Sequence, residues 1–162
     1  MQQDITYKFW TVVMVQHKDK VLLLNRQHDN FKGFIPPGGK VDFPESFVDG
    51  AIREVKEETG LEVTNLVFKG ISEFVNTAAK DRYIMMNYWT KDFKGELLEN
   101  PPEGTLHWID INEAKNLPMQ KDIKLRFDLF FKPGTFEIHT VWDAEKTLQE
   151  KYLLKKPELG KG

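Results

Sequence analysis

The stretch from Gly39 to Leu61, GKVDFPESFVDGAIREVKEETGL, constrains this chain more than any other. Its middle reads as a helix with both ends marked. Ser46 with Asp49 three residues on has the form of an N-cap, the serine oxygen accepting from a free N–H of the first turn. Gly60 is a natural left-handed stop. Between them Val48, Ala51, Ile52, Val55 and Thr59 fall at helical spacing, so one stripe is expected to face a core. Glu54, Glu57 and Glu58 stand at i, i+3 and i+4, which gathers their carboxylates on a neighbouring strip. Like charges so placed cost a helix about 0.2–0.5 kcal/mol per pair. Something cationic should offset them. Arg53, four residues before Glu57, does part of it; a divalent metal would do far more, and hard oxygen ligands favour magnesium or manganese. The competing reading is a solvated acidic face, which charge runs ordinarily are.

Composition narrows the classes. At 162 residues, 40% hydrophobic and 30% charged, residues 1–154 are expected to form one domain with a proper core, and 155–162 a loose tail. A formal charge of -2 gives no reason to expect a nucleic-acid polymer or an anionic membrane as partner. The absence of cysteine excludes disulfides, thiolate catalysis and cysteine-based zinc sites. No run reaches transmembrane length and no basic segment leads into an apolar one, so a cytoplasmic location is expected.

Along the chain, 7–15 (YKFWTVVMV) reads as a strand buried on both faces and Val21 to Asn25 as its hairpin partner. A polar loop, Arg26 to Lys32, leads to a Pro36-Pro37-Gly38-Gly39 turn. After the acidic helix, Val63 to Asn76 offers one or two strands broken near Gly70, and Arg82 to Thr90 another. Residues 91–103 read as loop, Thr105 to Ile111 as a strand, Asn112 to Asn116 as the start of a short helix and Lys121 to Phe131 as a helix. Thr135 to Trp142 alternates as a strand, and Glu145 to Leu154 is either a helix or extended. Strands outnumber helices, which argues an α+β sandwich.

The stretch resembles the Nudix hydrolase family. The signature G-x5-E-x7-R-E-U-x-E-E-x-G-U, with U bulky and apolar, is met by Gly39, Glu45, Arg53, Glu54, Val55, Glu57, Glu58, Gly60 and Leu61. The resemblance implies the Nudix fold, a mixed β-sheet sandwiched between helices. It also implies a pyrophosphohydrolase needing Mg2+, with Mn2+ possible, and a small nucleotide as its partner. Glu54, Glu57 and Glu58 would ligate metal, together with the carbonyl of Gly38. Arg53 would orient those carboxylates, Glu45 would support the site through water, and Gly39 and Lys40 would meet phosphate. Their bland counterparts are an ordinary surface pair for Arg53 and solvated side chains for Glu45 and Lys40.

Similarity to the MutT-like, oxidised-purine-nucleotide branch runs from about Trp10 to about Trp142. It singles out Glu103, before the strand bearing Trp108, as a further metal ligand or general base; Glu96 and Glu99 compete with it. The base remains open between Glu57, Glu58 and Glu103, since coupled carboxylates titrate together. On the same mapping Thr11 and Val13, Phe34 and Ile35, and Met119 to Asp122 line a purine, Asp122 reading its edge. Two departures stand out: Ile35 replaces a base-reading asparagine of some relatives, and 118–122 lacks their stacking tryptophan. Phe9 and Trp10 read as core. The expected reaction converts a nucleoside triphosphate, such as 8-oxo-dGTP, to its monophosphate and pyrophosphate. ADP-ribose, a dinucleoside polyphosphate, or nucleotide sensing without cleavage are the alternatives. His17, His28, His107 and His139 lack metal-type spacing, and no serine sits in a nucleophile elbow.

Overall fold

The first long strand shows how the chain layers itself. In the computed structural model, which describes residues 4–27, 32–143 and 146–155, β1 spans Thr6–His17. Val12 and Met14 enter one core, Val13 and Val15 another, so the strand is buried on both faces from Thr11 to Val15; Tyr7, Lys8 and Phe9 are exposed, against the expectation of burial from residue 7 and of a core Phe9. The neighbouring β2 (Lys20–Arg26) repeats this, with Val21 and Leu23 on one side and Leu22 on the other.

The remaining strands are β3 (Gly33–Ile35), β4 (Gly38–Lys40), β5 (Glu62–Thr64), β6 (Val67–Asn76), β7 (Asp81–Thr90), β8 (Asp92–Lys94), β9 (Gly104–Asp110), β10 (Thr135–Asp143) and β11 (Lys146–Lys155). The large sheet runs β11-β10-β6-β7-β1-β2-β3, with β4 added to β1 and β9 to β2. It is mixed: β1/β7 and β6/β10 are parallel, the other pairs antiparallel. Helix α1 (Phe47–Thr59) covers one face through Ala51 and Val55. The other face is covered by α2 (Ile111–Ala114), α3 (Lys121–Arg126) and a 3-10 turn over Phe127–Phe131. This is the expected α+β arrangement. Among the described residues no helix is long and apolar enough to cross a membrane.

Several expectations are corrected. β1 and β2 pair only at Gln16–Val21 and His17–Lys20; β2 then leaves to pair with β9. Pro36 and Pro37 form the bend between two short strands, but the two glycines belong to the second of them, Gly38–Lys40 pairing with Val12, Thr11 and Trp10. The 63–76 region breaks between β5 and β6, at Asn65–Leu66, while Gly70 sits at a bulge inside β6. Residues 91–103 contain β8, which pairs with β5. The helix expected over 121–131 ends at Arg126 and tightens, because Phe127 and Phe130 are both buried and the 3-10 repeat eclipses residues three apart. The segment after Asp143 is extended, and Lys155 belongs to it rather than to the tail. His28, most of the polar loop before Lys32, and 156–162 lie outside the described residues.

Candidate active site

The acidic helix forms where its caps predict. Ser46 Oγ accepts from Asp49 N–H at 3.0 Å, and Gly60, at φ 87°, closes the last turn by donating its N–H to Lys56. Thr59 is buried with Ala51 and Val55, but Val48 is exposed. Buried Gly50 takes its place on the packed side; a Cβ there would come within 3.0 Å of Glu45 Oε1.

Arg53 is the hub. Its Nε and Nη2 donate to the two oxygens of Glu45 at 3.0 and 2.7 Å. Nη1 donates to Glu54 at 3.0 Å and to Glu57 at 3.2 Å. Nη2 also reaches the Lys40 carbonyl at 3.0 Å and lies 3.3 Å from Asp42. One planar guanidinium thus ties the β4 strand, the loop before the helix and two helix carboxylates together. The Arg53 hydrogen bond, reinforced by the Asp42 N–H, lowers the Glu45 pKa to about 2. Arg53 is itself pushed above its ordinary value, chiefly by Glu45.

The glycines complete the geometry. A Cβ on Gly39 would stand 2.3 Å from the Glu54 carboxyl, so only glycine lets that carboxylate lie against the strand. Gly38 N–H donates to Glu58 at 3.1 Å. Thr11, buried, donates its hydroxyl to the Gly39 carbonyl at 3.2 Å. β9–β2 pairing sets Gly104 against Arg26 and brings Glu103 to 3.9 Å from Arg26. Both are close enough to Glu58 to act on its ionisation. Desolvation, opposed by the Gly38 N–H and strengthened by Glu54 and Glu103, raises the Glu58 pKa to about 8. Desolvation likewise raises Glu54.

These carboxylates are short of positive charge. Among the described residues, no three acidic or histidine side chains are close enough to share an ion as they stand. Arg53 holds Glu54 and Glu57, while Gly38 holds Glu58. The donors are nonetheless all hard oxygens on one helix and one strand, and burial makes Glu54 and Glu58 costly to ionise, a cost that a divalent cation would offset. The residues fit such an ion.

The expected base-contacting residues divide between the two faces. Phe34 and Met119 meet across a short bridge and pack against the core beneath α3. Ile35 pairs with Leu24 in the adjoining strand, and Asp122 is exposed in the first turn of α3. Thr11 is occupied with Gly39, and Val13 is buried beneath α1. The Lys40 side chain is exposed beside β1. Arg26 and Asp42 have no position in the signature; their roles arise from pairing and loop closure that local spacing does not encode.

Comparison with known proteins agrees with this geometry. A family model described as the NUDIX domain matches residues 8–129. A protein described as "Uncharacterized Nudix hydrolase YvcI", from Bacillus subtilis (strain 168), is 34% identical over 112 residues, covering 67% of this chain and 70% of that protein. The asymmetrical bis(5'-nucleosyl)-tetraphosphatase of Mus musculus is 30% identical over 106 residues, covering 63% and 72% respectively. Among solved structures, a MutT protein from Bacillus halodurans superposes with a TM-score of 0.78 at 27% identity, over 90% of this chain and 97% of that one.

Proposed function

The chain belongs to the NUDIX family, hydrolases of phosphoanhydride bonds, and on that premise we propose that it is a magnesium-dependent nucleoside triphosphate pyrophosphohydrolase. Its substrate in this reading is an oxidised purine nucleotide of the 8-oxo-dGTP type, converted to the monophosphate and pyrophosphate. The observation that carries the chemistry is the approach of Glu54 and Glu58 to the Gly38–Gly39 strand, with Arg53 fixing the helix against it.

Glu54, Glu57 and Glu58, with Glu103 and the Gly38 carbonyl, would hold the ion, manganese being the substitute. When bound, the ion neutralises phosphate oxygens and acidifies an attacking water. The chain's own residues do the rest. Arg53 keeps the carboxylates from splaying, Glu45 keeps Arg53 in its plane, and Gly39 leaves room for Glu54. Lys40, exposed at the edge of β4, neutralises phosphate. One of Glu57, Glu58 and Glu103 takes the proton from the water.

The triphosphate reading is supported by the likeness to the MutT structure over nine-tenths of the chain. It is also supported by the sheet register. Ser72, Met85, Trp10 and Lys40 pair in one row across β6, β7, β1 and β4. Lys40 is therefore two strand spacings, about 10 Å, from Met85. A base beneath α3 and phosphates at the glycines would share that row. A second reading, a dinucleoside polyphosphate, is favoured by the identity to the Mus musculus enzyme. The test is a panel of ordinary and oxidised nucleoside triphosphates, ADP-ribose and dinucleoside polyphosphates ranked by kcat/KM with magnesium. The highest value for an oxidised purine triphosphate upholds the first reading; the highest for a dinucleoside polyphosphate upholds the second.

A further inference from the structure

β1 is covered along only part of its length. Trp10, Thr11 and Val12 lie between β7 on one edge and Lys40, Gly39 and Gly38 on the other. Residues 6–8 pair with β7 alone: among the described residues no strand lies against their other edge. Two bonds fix the direction of the backbone there. Thr6 donates its N–H to the Lys80 carbonyl on the β7 side, whereas the Phe9 carbonyl accepts from Val41 on the other. Polar groups alternate sides along a strand, so those of Tyr7, and of Ile5 before it, point out of the open edge. Residues 4–9 are all exposed. Tyr7 and Phe9 stand on the α1 side at 53 and 37% exposure, Phe9 against the Phe47 ring, and Ile5, at 52%, lines one hollow with Tyr7. Phe43, 99% exposed, is held out beside them on the loop that Arg53 ties through Asp42 and Glu45. Aromatic side chains carry about 150–250 Å2 each, so at these exposures the four residues present roughly 500 Å2 of apolar surface. Two such faces together bury roughly 1,000 Å2, the size at which an interface becomes specific.

We propose that the first half of β1 is a homodimer interface, in which two copies of this chain pair antiparallel about a two-fold axis at Thr6. In that register Tyr7 faces the partner's Ile5, and their outward N–H and C=O groups close a ladder pair on each side of the axis. On the α1 side apolar residues meet apolar residues. On the other side Lys8, whose ammonium lies over the Tyr83 ring, faces the partner's Asp4, so one pair of opposite charges is made twice. A two-fold axis one residue later is blocked, because Val41 already occupies the edge at Phe9. The edge thus complements itself in backbone, apolar side chains and charge, which makes a second copy its occupant.

Sedimentation velocity of the full chain, from micromolar to near-millimolar concentration, tests this. Wild type is expected to sediment as a dimer that dissociates on dilution. Asp4→Lys and Lys8→Asp each set like charges opposite one another twice, and each raises the dissociation constant about tenfold. Asp4→Lys combined with Lys8→Asp remakes both pairs and returns the constant to near its wild-type value. Both positions are exposed, so these changes leave the fold alone. Tyr7→Pro removes the outward N–H while the bonds to β7 stay in place, and is expected to be monomeric. A wild type that stays monomeric throughout overturns the proposal; binding of that monomer to phosphatidylcholine vesicles would assign the apolar face to lipid instead. A dimer that Asp4→Lys and Lys8→Asp leave unchanged, or that the double variant fails to restore, overturns it too, since the copies then meet elsewhere or in another register. Should Tyr7→Pro fail to fold, the charge exchange decides alone.

Discussion

Arg53 donates to both carboxylate oxygens of Glu45, at 3.0 and 2.7 Å, and through that fork fixes the acidic helix to the strand of glycines beside it. The pair spans the loop between β4 and α1, so the positions of the Glu54 and Glu57 carboxylates depend on it. Glu45→Gln removes the charge from the pairing while keeping its shape. Loss of such an outer support ordinarily costs about 10–100-fold in metal affinity or activity. Glu45→Gln is expected to lower kcat/KM by that order and raise the magnesium needed for half-maximal rate. A magnesium titration of both proteins checks it; an unchanged titration removes Glu45 from the account.

Gly39 makes a sharper prediction. The Cβ of Gly39→Ala would meet the end of the Glu54 side chain, which is flexible and can swing away. Activity is expected to fall at least a hundredfold with little change in melting temperature, because only the carboxylate moves. A variant that melts far earlier than wild type would show that the glycine serves the sheet instead.

Glu58 and Glu45 predict opposite pH dependences in the metal-free protein. Folded Glu58 keeps its proton to about pH 8, whereas the unfolded chain loses it near 4.5. Between those values the folded state binds more protons, so stability falls as pH rises, by up to about 1.4 kcal/mol per unit. Folded Glu45 loses its proton near 2, so its contribution is full above 4.5 and disappears as pH falls through 2. Thermal unfolding from pH 5 to 8 should show a declining midpoint that Glu58→Gln flattens. Magnesium should flatten it too, since the ion takes the ionised carboxylate, and its affinity should climb with pH up to about 8.

Gly60→Ala tests the helix stop. At φ 87° an alanine is strained, and its Cβ would come 2.6 Å from the Glu96 carbonyl. A loss of about 1–2 kcal/mol is expected from the left-handed backbone alone, measurable by urea denaturation. A neutral result would mean that the C-terminal turn unwinds freely.

The capped helix and its carboxylates were legible in the sequence because caps, helical spacing and the signature are all local. Ser46, Arg53, Glu54 and Gly60 stand where spacing put them. Val48 does not, because the packed face runs through Phe47, Gly50 and Ala51 and leaves it to one side. β3, β4 and β8 are three residues each, too short to carry an alternation that a sequence can show. Glu103 was found by likeness, but its Arg26 neighbour comes from β2–β9 register, which one sequence does not reveal.

The central proposal is that this helix and glycine strand assemble a centre that splits a nucleoside triphosphate into its monophosphate and pyrophosphate. Its most direct measurement is the identity of the products formed from 8-oxo-dGTP with magnesium, by wild type and by Glu57→Gln. The account predicts nucleoside monophosphate and pyrophosphate from wild type and a rate reduced by orders of magnitude in the variant. Release of inorganic phosphate and nucleoside diphosphate, or equal turnover by both proteins, would contradict it.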